Sequence, residues 1–283
     1  CKNLCGFCSF GRRAGDEGAF CNDKAAIQEK VSLALTRDVT EICLLSGVHP
    51  DFSIDTYCDL LSWVLEIGPQ IHLHAFSPDE VSHAASVSNL SSAEVLRRFK
   101  AAGLGSLQGT AAELLVDTVR KVICPRKLNT AEWVRIIKEA HSLGIPSTAT
   151  IMYGSYETAK DQAEHLGILR RIQDETSGFT ELVPLSYLHM NTPLYKAGIS
   201  RAGATGREDM LMTAVSRLFL DNFQNIQVPW GKVGLKMAQV MLMAGGNDLA
   251  GTMFSDDVSA TAGATDADYL DPVTMQRIAS DLG

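Results

Sequence analysis

The 283-residue sequence lacks a basic stretch, and its formal net charge is −8. Proteins that bind nucleic acids cluster lysine and arginine to meet phosphates, so this charge balance argues against a nucleic-acid partner. The sequence also lacks the run of about 18 apolar residues that a membrane-spanning helix needs, and we expect no membrane span. Its seven cysteines are odd in number and no secretory signal is visible. This favours a reducing, cytoplasmic location over a disulfide framework.

Three of the cysteines lie within the first ten residues, CKNLCGFCSF, with the spacing CxxxCxxC. Thiolates at Cys1, Cys5 and Cys8 can hold three corners of a cubic iron–sulfur cluster, because iron takes soft sulfur ligands readily. The fourth iron then has no protein ligand and can chelate a small molecule. The alternative is a structural zinc site, for which Cys21 is a poorly spaced fourth ligand, since such sites normally need four ligands.

Apolar runs alternate with helical patterns along the whole chain, and the 46% hydrophobic content suits a large core. The predicted strands span residues 41–47, 70–76, 106–111, 145–153, 179–187, 225–230 and 248–253. Repeated strand and helix predict an α/β fold, a (β/α)8 TIM-type barrel forming one domain over residues 1–283. Its first strand would lie upstream of Cys1, as expected of a chain that has lost its N-terminus. An open doubly wound sheet is the alternative.

Helix ends carry recognisable caps. Ser91 with Glu94 and Thr205 with Glu208 have capping-box spacing. Asn129 precedes an amphipathic helix that we expect to end at Gly144. Asp271 and Pro272 open the last predicted helix, and the chain between residues 187 and 206 is predicted to be a long loop.

In a barrel, residues at the carboxyl ends of the strands face the active site. The Ser46–Gly47 turn after one strand can expose backbone carbonyls to a ligand, although an ordinary strand-to-helix turn would read the same. Gly109, Thr110 and Glu113 end another strand. The Glu113 carboxylate can accept from a ribose hydroxyl or an ammonium group, or it can complement a helix dipole.

Other polar side chains alternate along strands or begin loops. Two histidines, two residues apart on one strand face, could bind metal, but hydrogen-bonded histidines that contact substrate are the better interpretation. Polar residues on a long loop after a strand favour a binding loop. The predicted substrate-contacting residues are His72, His74, Thr150, Tyr153, His189, Asn191, Thr192 and Asn247.

The cysteine triad, with the segments SGVHPD, IHLHAFSPDE, GTAAELL, FTELVPLSYLHMNTPLY, NIQVPWGKVG and GGNDLAGTM, resembles the second-subunit family of FO synthases, which are radical S-adenosylmethionine (SAM) enzymes. The resemblance covers essentially the whole chain. It implies a 4Fe-4S cluster on Cys1, Cys5 and Cys8. It also implies SAM bound by the turn at Ser46 and Gly47 and by the segment from Gly109 to Glu113.

This resemblance implies a transferase that couples the 4-hydroxybenzyl group of L-tyrosine to 5-amino-6-(D-ribitylamino)uracil. A 5'-deoxyadenosyl radical would take a hydrogen from the tyrosine amine, and Cα–Cβ cleavage would release the group that adds to the uracil. FO synthase subunit 1 and an external electron donor are the implied partners. The menaquinone-pathway siblings, aminofutalosine synthase and the futalosine cyclase, and a non-catalytic cluster-binding or zinc-binding scaffold are the alternatives.

Two positions depart from the family pattern. Ser46 stands where the family usually has glycine, and Ser155 replaces a histidine after Tyr153-Gly154, which puts the substrate in question. The siblings' substrates carry a carboxylate that needs a cationic partner. Since no Arg or Lys falls at the predicted strand ends, with Lys232 the nearest, the neutral ribityl-uracil is favoured.

Overall fold

The computed structural model describes residues 1–252, 257–264 and 269–282. The helices are α1 (Lys24–Leu35), α2 (Ile54–Leu65), α3 (Pro78–Ser88), α4 (Ser92–Ala101), α5 (Asp117–Ile123), α6 (Thr130–Ser142), α7 (Ala159–Thr176), α8 (Pro193–Lys196), α9 (Gly206–Phe219), α10 (Trp230–Met243), α11 (Asp257–Ala262) and α12 (Pro272–Leu282). The strands are β1 (Glu41–Leu44), β2 (His72–Ala75), β3 (Ser106–Leu107), β4 (Ser147–Tyr153), β5 (Phe179–Ser186) and β6 (Asn225–Ile226). Within this part of the chain, no helix is both long and apolar enough to cross a membrane.

The strands form a sheet whose order follows the chain, β1-β2-β3-β4-β5-β6. The registered pairs β1–β2, β2–β3, β3–β4 and β5–β6 are all parallel. Gln227 and Asp248 add an isolated parallel bridge after β6. A doubly wound sheet reverses its strand order partway, whereas this order is sequential, as in a barrel.

The chain divides into two compact units. The first consists of Cys1–Leu4, Arg12–Ala111 and Leu128–Thr148. Its core contains an aromatic cluster in which the Phe76 ring lies 4.9 Å from the Tyr57 ring and 4.9 Å from the Phe99 ring, measured between centroids. All three are fully buried, so they fix α2, α4 and the end of β2 against one another.

The second unit consists of Cys5–Gly11, Ala112–Lys127 and the chain from Ala149 onward. One of its cores surrounds Trp230, which is 1% exposed and packs with Met241, Leu249 and Ile278. The Trp230 indole donates to the carbonyl of Gly251 at 3.0 Å, which ties the start of α10 to the segment after the Gln227–Asp248 bridge.

The predicted alternation of strands and helices is confirmed, but several boundaries differ. The strands predicted over 106–111 and 225–230 are reduced to β3 and β6. The predicted strand over 248–253 appears as the single bridge at Asp248, and its last residue, Met253, lies outside the described residues. Helix α3 was missed, and α8 lies within the segment predicted as a long loop.

Candidate active site

The first unit holds Cys1 against the turn that follows β1. The Lys2 amide donates to the Val48 carbonyl at 2.8 Å. A Cβ atom built on Gly47 would lie 2.8 Å from the Cys1 Cβ and 3.5 Å from its sulfur. Because a Cβ essentially never fits at 2.8 Å, Gly47 is the residue that lets this turn approach the cysteine. The predicted SAM-binding turn therefore lies beside the first predicted cluster ligand.

The second unit holds the other two cysteines on one tight turn, in which the Cys8 amide donates to the Cys5 carbonyl at 3.0 Å. Gly6 between them is anchored on both sides. Its amide donates to the Ile123 carbonyl at the end of α5, and its carbonyl accepts from the Leu194 amide in α8. A Cβ on Gly6 would lie 2.8 Å from Leu194 Cγ. The HMNTPLY segment thus supports the cysteine turn directly.

A buried ion pair lies beside this turn. Lys127 Nζ is 2.7 Å from Glu113 Oε1, and the two side chains are 15% and 8% exposed. The Lys127 ammonium also lies 5.6 Å from the centroid of the Phe7 ring, within cation–π range. Sequence reasoning missed Lys127, which comes from the α5–α6 connection rather than from a strand end. The sequence predicted no Arg or Lys at the strand ends, and Lys127 lies at none of them, but it places a cation in this part of the second unit.

Burial raises the pKa of the Cys5 thiol to about 12, and the Lys127 charge acts in the opposite direction. A thiol so desolvated stays protonated until a metal replaces the proton, because the thiolate is the metal ligand. All three cysteines are free thiols. In the described residues no three His, Cys, Asp or Glu side chains converge as one metal ion would require. Three thiolates are a donor set that suits a 4Fe-4S cluster, which takes them on separate irons, and the cluster on these cysteines stays a prediction.

Left-handed backbone occurs where strands end. Phe76, directly after β2, has φ of 60°, and after β3 the values are 67° at Ala111 and 43° at Glu113. Such conformations are costly for residues with a side chain and persist where surrounding structure enforces them, often at ligand sites. In the second unit, buried Arg120 donates to the carbonyls of Ala112 and Leu114 and so braces this loop. Glu113 is thereby fixed toward Lys127.

The other predicted SAM-contacting residues after β3 are held by the first unit. The Gly109 amide donates to Thr148 Oγ1 at 2.9 Å, and the Trp133 indole donates to the Thr110 carbonyl at 3.3 Å. The Thr110 hydroxyl donates to Gln108 Oε1 at 3.3 Å. These bonds set the main chain of the turn and leave its ligand contacts a prediction.

The two histidines of β2 share one partner. Ser106 Oγ lies 2.8 Å from His72 Nε2 and 2.7 Å from His74 Nδ1. Burial, with the neighbouring His72, lowers the pKa of His74 to about 4, so it is neutral. His72 opens β2, and Ser106 opens β3, so His72 lies at the amino end of its strand. That position does not favour a substrate contact, since barrel enzymes bind at the carboxyl ends.

Thr150 and Tyr153 lie on opposite faces of β4, because successive side chains in a strand alternate. The Tyr153 hydroxyl donates to Asp209 Oδ1 at 2.7 Å in α9, and both side chains are buried. The Tyr153 side chain therefore packs against α9 and bonds to it. Thr150 is 4% exposed, and its carbonyl accepts from His165 Nε2, which leaves substrate contact by its side chain a prediction.

The loop after β5 has three predicted contacts with different environments. Thr192 is fully buried and caps α8, with its hydroxyl donating to the His189 carbonyl at 2.8 Å. His189 packs edge-on to Tyr195 at 4.5 Å between ring centroids. Exposed Asn191 donates to the Thr261 carbonyl at 2.9 Å. Thr192 thus has a structural task, whereas His189 and Asn191 lie nearer the surface.

Asn247 lies at the amino end of β6. Its Oδ1 accepts from Arg217 Nη2 at 2.5 Å and from the Ile226 amide at 2.8 Å. Its amide group donates to the Gln224 carbonyl. This network ties β6 to α9 at the end of the strand opposite to that expected for substrate binding.

The substituted position after β4 is part of a carboxylate clamp. Glu157 accepts from the Gly154 amide at 2.6 Å and from both the amide and the hydroxyl of Ser155, at 2.9 and 3.0 Å. The clamp is buried, and the Arg201 amide donates to the Ser155 carbonyl. Ser155 therefore closes the end of β4 rather than presenting a side chain to a ligand.

Two further residues were not anticipated. Glu80 accepts from Ser46 and lies in the first turn of α3, and His165 joins the loop after β3 to β4. The Ser77-Pro78-Asp79-Glu80 sequence, a cap followed by Pro and an acid at the third position, is a signal that could have predicted α3 and Glu80.

Two family models match the chain. The radical SAM superfamily matches residues 1–168, and the CofH/MqnC C-terminal region matches residues 176–281. The structure of methylornithine synthase (PylB) matches with a TM-score of 0.74 at 14% identity, covering 98% of this chain and 77% of that one. At that identity the match shows the fold alone, and it confirms the α/β TIM-type class.

Curated relatives match over the full length of this chain. A protein of Methanosphaerula palustris, named 5-amino-6-(D-ribitylamino)uracil–L-tyrosine 4-hydroxyphenyl transferase, is 59% identical over all 283 residues, which cover 78% of its own length. Proteins of the same name from Methanoculleus marisnigri and Methanothermobacter thermautotrophicus are 56% and 43% identical, with 77% of each covered. The chain therefore belongs to the radical SAM superfamily and, within it, to the family of 5-amino-6-(D-ribitylamino)uracil–L-tyrosine 4-hydroxyphenyl transferases.

Proposed function

We propose that this protein is a radical SAM transferase that couples the 4-hydroxybenzyl group of L-tyrosine to 5-amino-6-(D-ribitylamino)uracil in deazaflavin coenzyme biosynthesis. The observation that carries the proposal is the 59% identity, over the whole chain, to a relative named for this reaction. The geometry supports it because the cysteine turn packs directly against α8, which lies within the HMNTPLY segment that carries part of the family resemblance.

The cofactors of this proposal are a 4Fe-4S cluster and SAM. Cys1, Cys5 and Cys8 would hold the cluster, and the Ser46–Gly47 turn with the segment from Gly109 to Glu113 would hold SAM. When bound, the two would supply radical chemistry by one-electron cleavage of the SAM sulfonium bond. An external electron donor and FO synthase subunit 1 are the expected partners.

The chain's own residues would position the reactants and exclude water. Lys127 holds Glu113 by an ion pair, so the Glu113 carboxylate is oriented before any ligand arrives. His74, kept neutral by burial, can donate or accept a hydrogen bond without adding charge. Since Lys127 is already matched by Glu113, it does not supply a free cation for the carboxylate of a sibling's substrate.

The test is the reaction of the anaerobically reconstituted full-length enzyme. We expect release of 5'-deoxyadenosine to require both L-tyrosine and the diaminouracil, with the coupled product detected by mass spectrometry. Cys8→Ser, reconstituted in parallel, should release neither. If deoxyadenosine release requires an enolpyruvyl benzoate or futalosine, and the tyrosine reaction gives no coupled product, the proposal is wrong.

A further inference from the structure

Ser46, one of the two departures from the family pattern, is bonded to a buried carboxylate. Its hydroxyl donates to Glu80 Oε1 at 2.6 Å. The other oxygen of Glu80 accepts from the Ser77 amide at 2.6 Å and from the Ser77 hydroxyl at 2.9 Å. Glu80 is 2% exposed, so it is a buried charge satisfied by three donors.

These bonds give Glu80 two tasks. With Ser77 it forms the capping box of α3, and with Ser46 it reaches out of the helix to the turn after β1. The capping boxes of α7 and α9, at Thr158/Asp161 and Thr205/Glu208, lie exposed by comparison. A cap alone does not need burial, so the contact with Ser46 distinguishes the α3 box.

The opposite side of the turn is fixed by the cysteine loop. Gly47 has room for no Cβ beside Cys1, and the Val48 carbonyl accepts from the Lys2 amide. Helix α3 also contacts this part of the loop, where Lys2 Nζ lies 2.8 Å from His83 Nδ1. The first two turns of α3 therefore contact both the Ser46–Gly47 turn and the start of the cysteine loop.

Tyr57 lies near Glu80 and adds no charge of its own. Burial, followed by the Glu80 and Asp79 charges, raises the pKa of the neighbouring Tyr57, which therefore stays a neutral phenol. The Tyr57 ring packs on Phe76 and Phe99 and closes the apolar side. One hydrogen bond thus joins the Glu80 carboxylate to the turn that would receive the ammonium group of SAM.

We propose that Glu80 is a positioning residue which, through Ser46, holds the Ser46–Gly47 turn in the geometry that binds the amino group of SAM. This inference rests on the proposed function. It assigns a role to the serine that stands where the family usually has glycine. The Ser46 hydroxyl holds the turn through its bond to Glu80, whereas a glycine would leave the turn without this bond. It also explains why a capping carboxylate is buried in this helix.

The test compares four variants of the reconstituted full-length protein, with the dissociation constant of SAM and the melting temperature of the apo protein as separate readouts. Ser46→Ala should weaken SAM binding about fivefold with little change in melting temperature, because the bond from the turn to Glu80 is lost while the capping box of α3 remains. Glu80→Ala should weaken SAM binding at least as much and also lower the melting temperature. Glu80→Gln should retain most SAM affinity, since Gln can cap Ser77 and donate to Ser46.

The matched control is Asp161→Ala, which removes the same kind of box from α7. It should lower the melting temperature and leave SAM binding unchanged. Wild-type SAM affinity in both Ser46→Ala and Glu80→Ala would overturn the inference, as would equal weakening in Asp161→Ala. Failure of the wild-type protein to bind SAM at all would instead contradict the proposed function.

Discussion

At the scale of single residues, two glycines shape the cysteine loop by leaving space for neighbours. Gly47 admits Cys1, and Gly6 admits the Leu194 side chain, with 2.8 Å from a built Cβ in each case. Neither has a positive φ, so the requirement is steric rather than conformational. An added methyl group must therefore displace a cysteine or the helix that supports it.

We predict that Gly47→Ala disturbs cofactor binding. Overpacking of this kind costs about 1–3 kcal/mol, which here falls on the contact with Cys1. Iron and sulfide per chain after anaerobic reconstitution should fall, and SAM affinity should fall roughly tenfold. Gly251→Ala is the control, because a Cβ there meets nothing within 4 Å. Unchanged iron content and SAM affinity in Gly47→Ala would contradict the prediction.

A second residue-scale prediction concerns the ion pair at Lys127. Removing one partner of a buried pair leaves an uncompensated charge, so Lys127→Met should lower the free energy of unfolding by about 3 kcal/mol. The control is Lys24→Met, whose pair with Glu66 is 47% and 48% exposed, so its loss should destabilise the protein far less.

Urea unfolding of the apo proteins measures both effects. Adding Glu113→Gln to Lys127→Met should recover part of the loss, because the orphaned carboxylate is removed. Equal free energies of unfolding for the two lysine variants would contradict the prediction, because the buried pair would then stabilise the protein no more than the exposed one.

At the scale of elements, the one-turn helix α8 is held in place by its N-cap residue, Thr192. Thr192 Oγ1 bonds the His189 carbonyl, the Tyr195 amide and the Tyr187 hydroxyl, so one hydroxyl fixes α8 to the end of β5. Helix α8 in turn carries the Leu194 amide that bonds Gly6. Loss of the cap should therefore loosen the cysteine turn rather than the fold.

We predict that Thr192→Val increases the alkylation rate of Cys5 in the apo protein severalfold. Valine keeps the shape but removes a cap worth about 1 kcal/mol. Peptide mass spectrometry separates Cys5, which is 6% exposed, from the other cysteines. Thr213→Val is the control, since that buried hydroxyl bonds only the Asp209 carbonyl within α9. Equal labelling of Cys5 in the two variants would contradict this account.

The sequence predicted elements where the signal is local. The Thr205/Glu208 box and the Asp271–Pro272 start both appear as expected. The box predicted at Ser91 and Glu94 forms only in part: the Ser91 side chain accepts from the Glu94 amide, while the Glu94 carboxylate pairs with Arg97. The N-cap itself was predicted correctly in each case, because capping is decided within one turn.

The sequence was weaker where tertiary contacts decide the outcome. His72 and Asn247 lie at the amino ends of strands. The sequence did not predict this, because a polar residue beside an apolar run gives the same pattern at either end of a strand. Lys127 reaches Glu113 across 14 positions of the chain, a pairing that no periodicity encodes. The cysteine triad stood out because its spacing is itself the signal, whereas the Ser46–Gly47 turn was singled out by the family resemblance, and the ligands of both stay predictions.

At the scale of the whole molecule, histidines that desolvation keeps neutral occur in both units. In the first, burial lowers the pKa of His74 and of His141 to about 4. In the second, burial lowers the pKa of His165 to about 3. His165 Nδ1 accepts from the Leu115 amide at 2.8 Å, so protonating that nitrogen would break the bond that holds the loop after β3.

The direction of the pH effect follows from these pKa values. An unfolded histidine binds a proton near pH 6.5, whereas these folded ones stay neutral to about pH 4. As the pH falls from 6.5 toward 4, the unfolded state binds more protons, and the folded state loses stability. Asp209, whose pKa burial raises, acts in the opposite direction. The effects of the histidines and of Asp209 on stability are both properties of the apo protein, so they can be measured without a cluster.

We predict that the apo protein is less stable at pH 5 than at pH 7 and that His165 supplies about 2 kcal/mol of the difference. Urea unfolding at the two pH values measures it. His165→Asn should be less stable at pH 7 but should lose less between pH 7 and pH 5, and the Asp209 contribution cancels in the comparison. Thr213→Val, destabilised without losing a histidine, should keep the wild-type pH dependence. If His165→Asn also keeps the wild-type pH dependence of stability, protonation of His165 is not coupled to unfolding and the prediction is wrong.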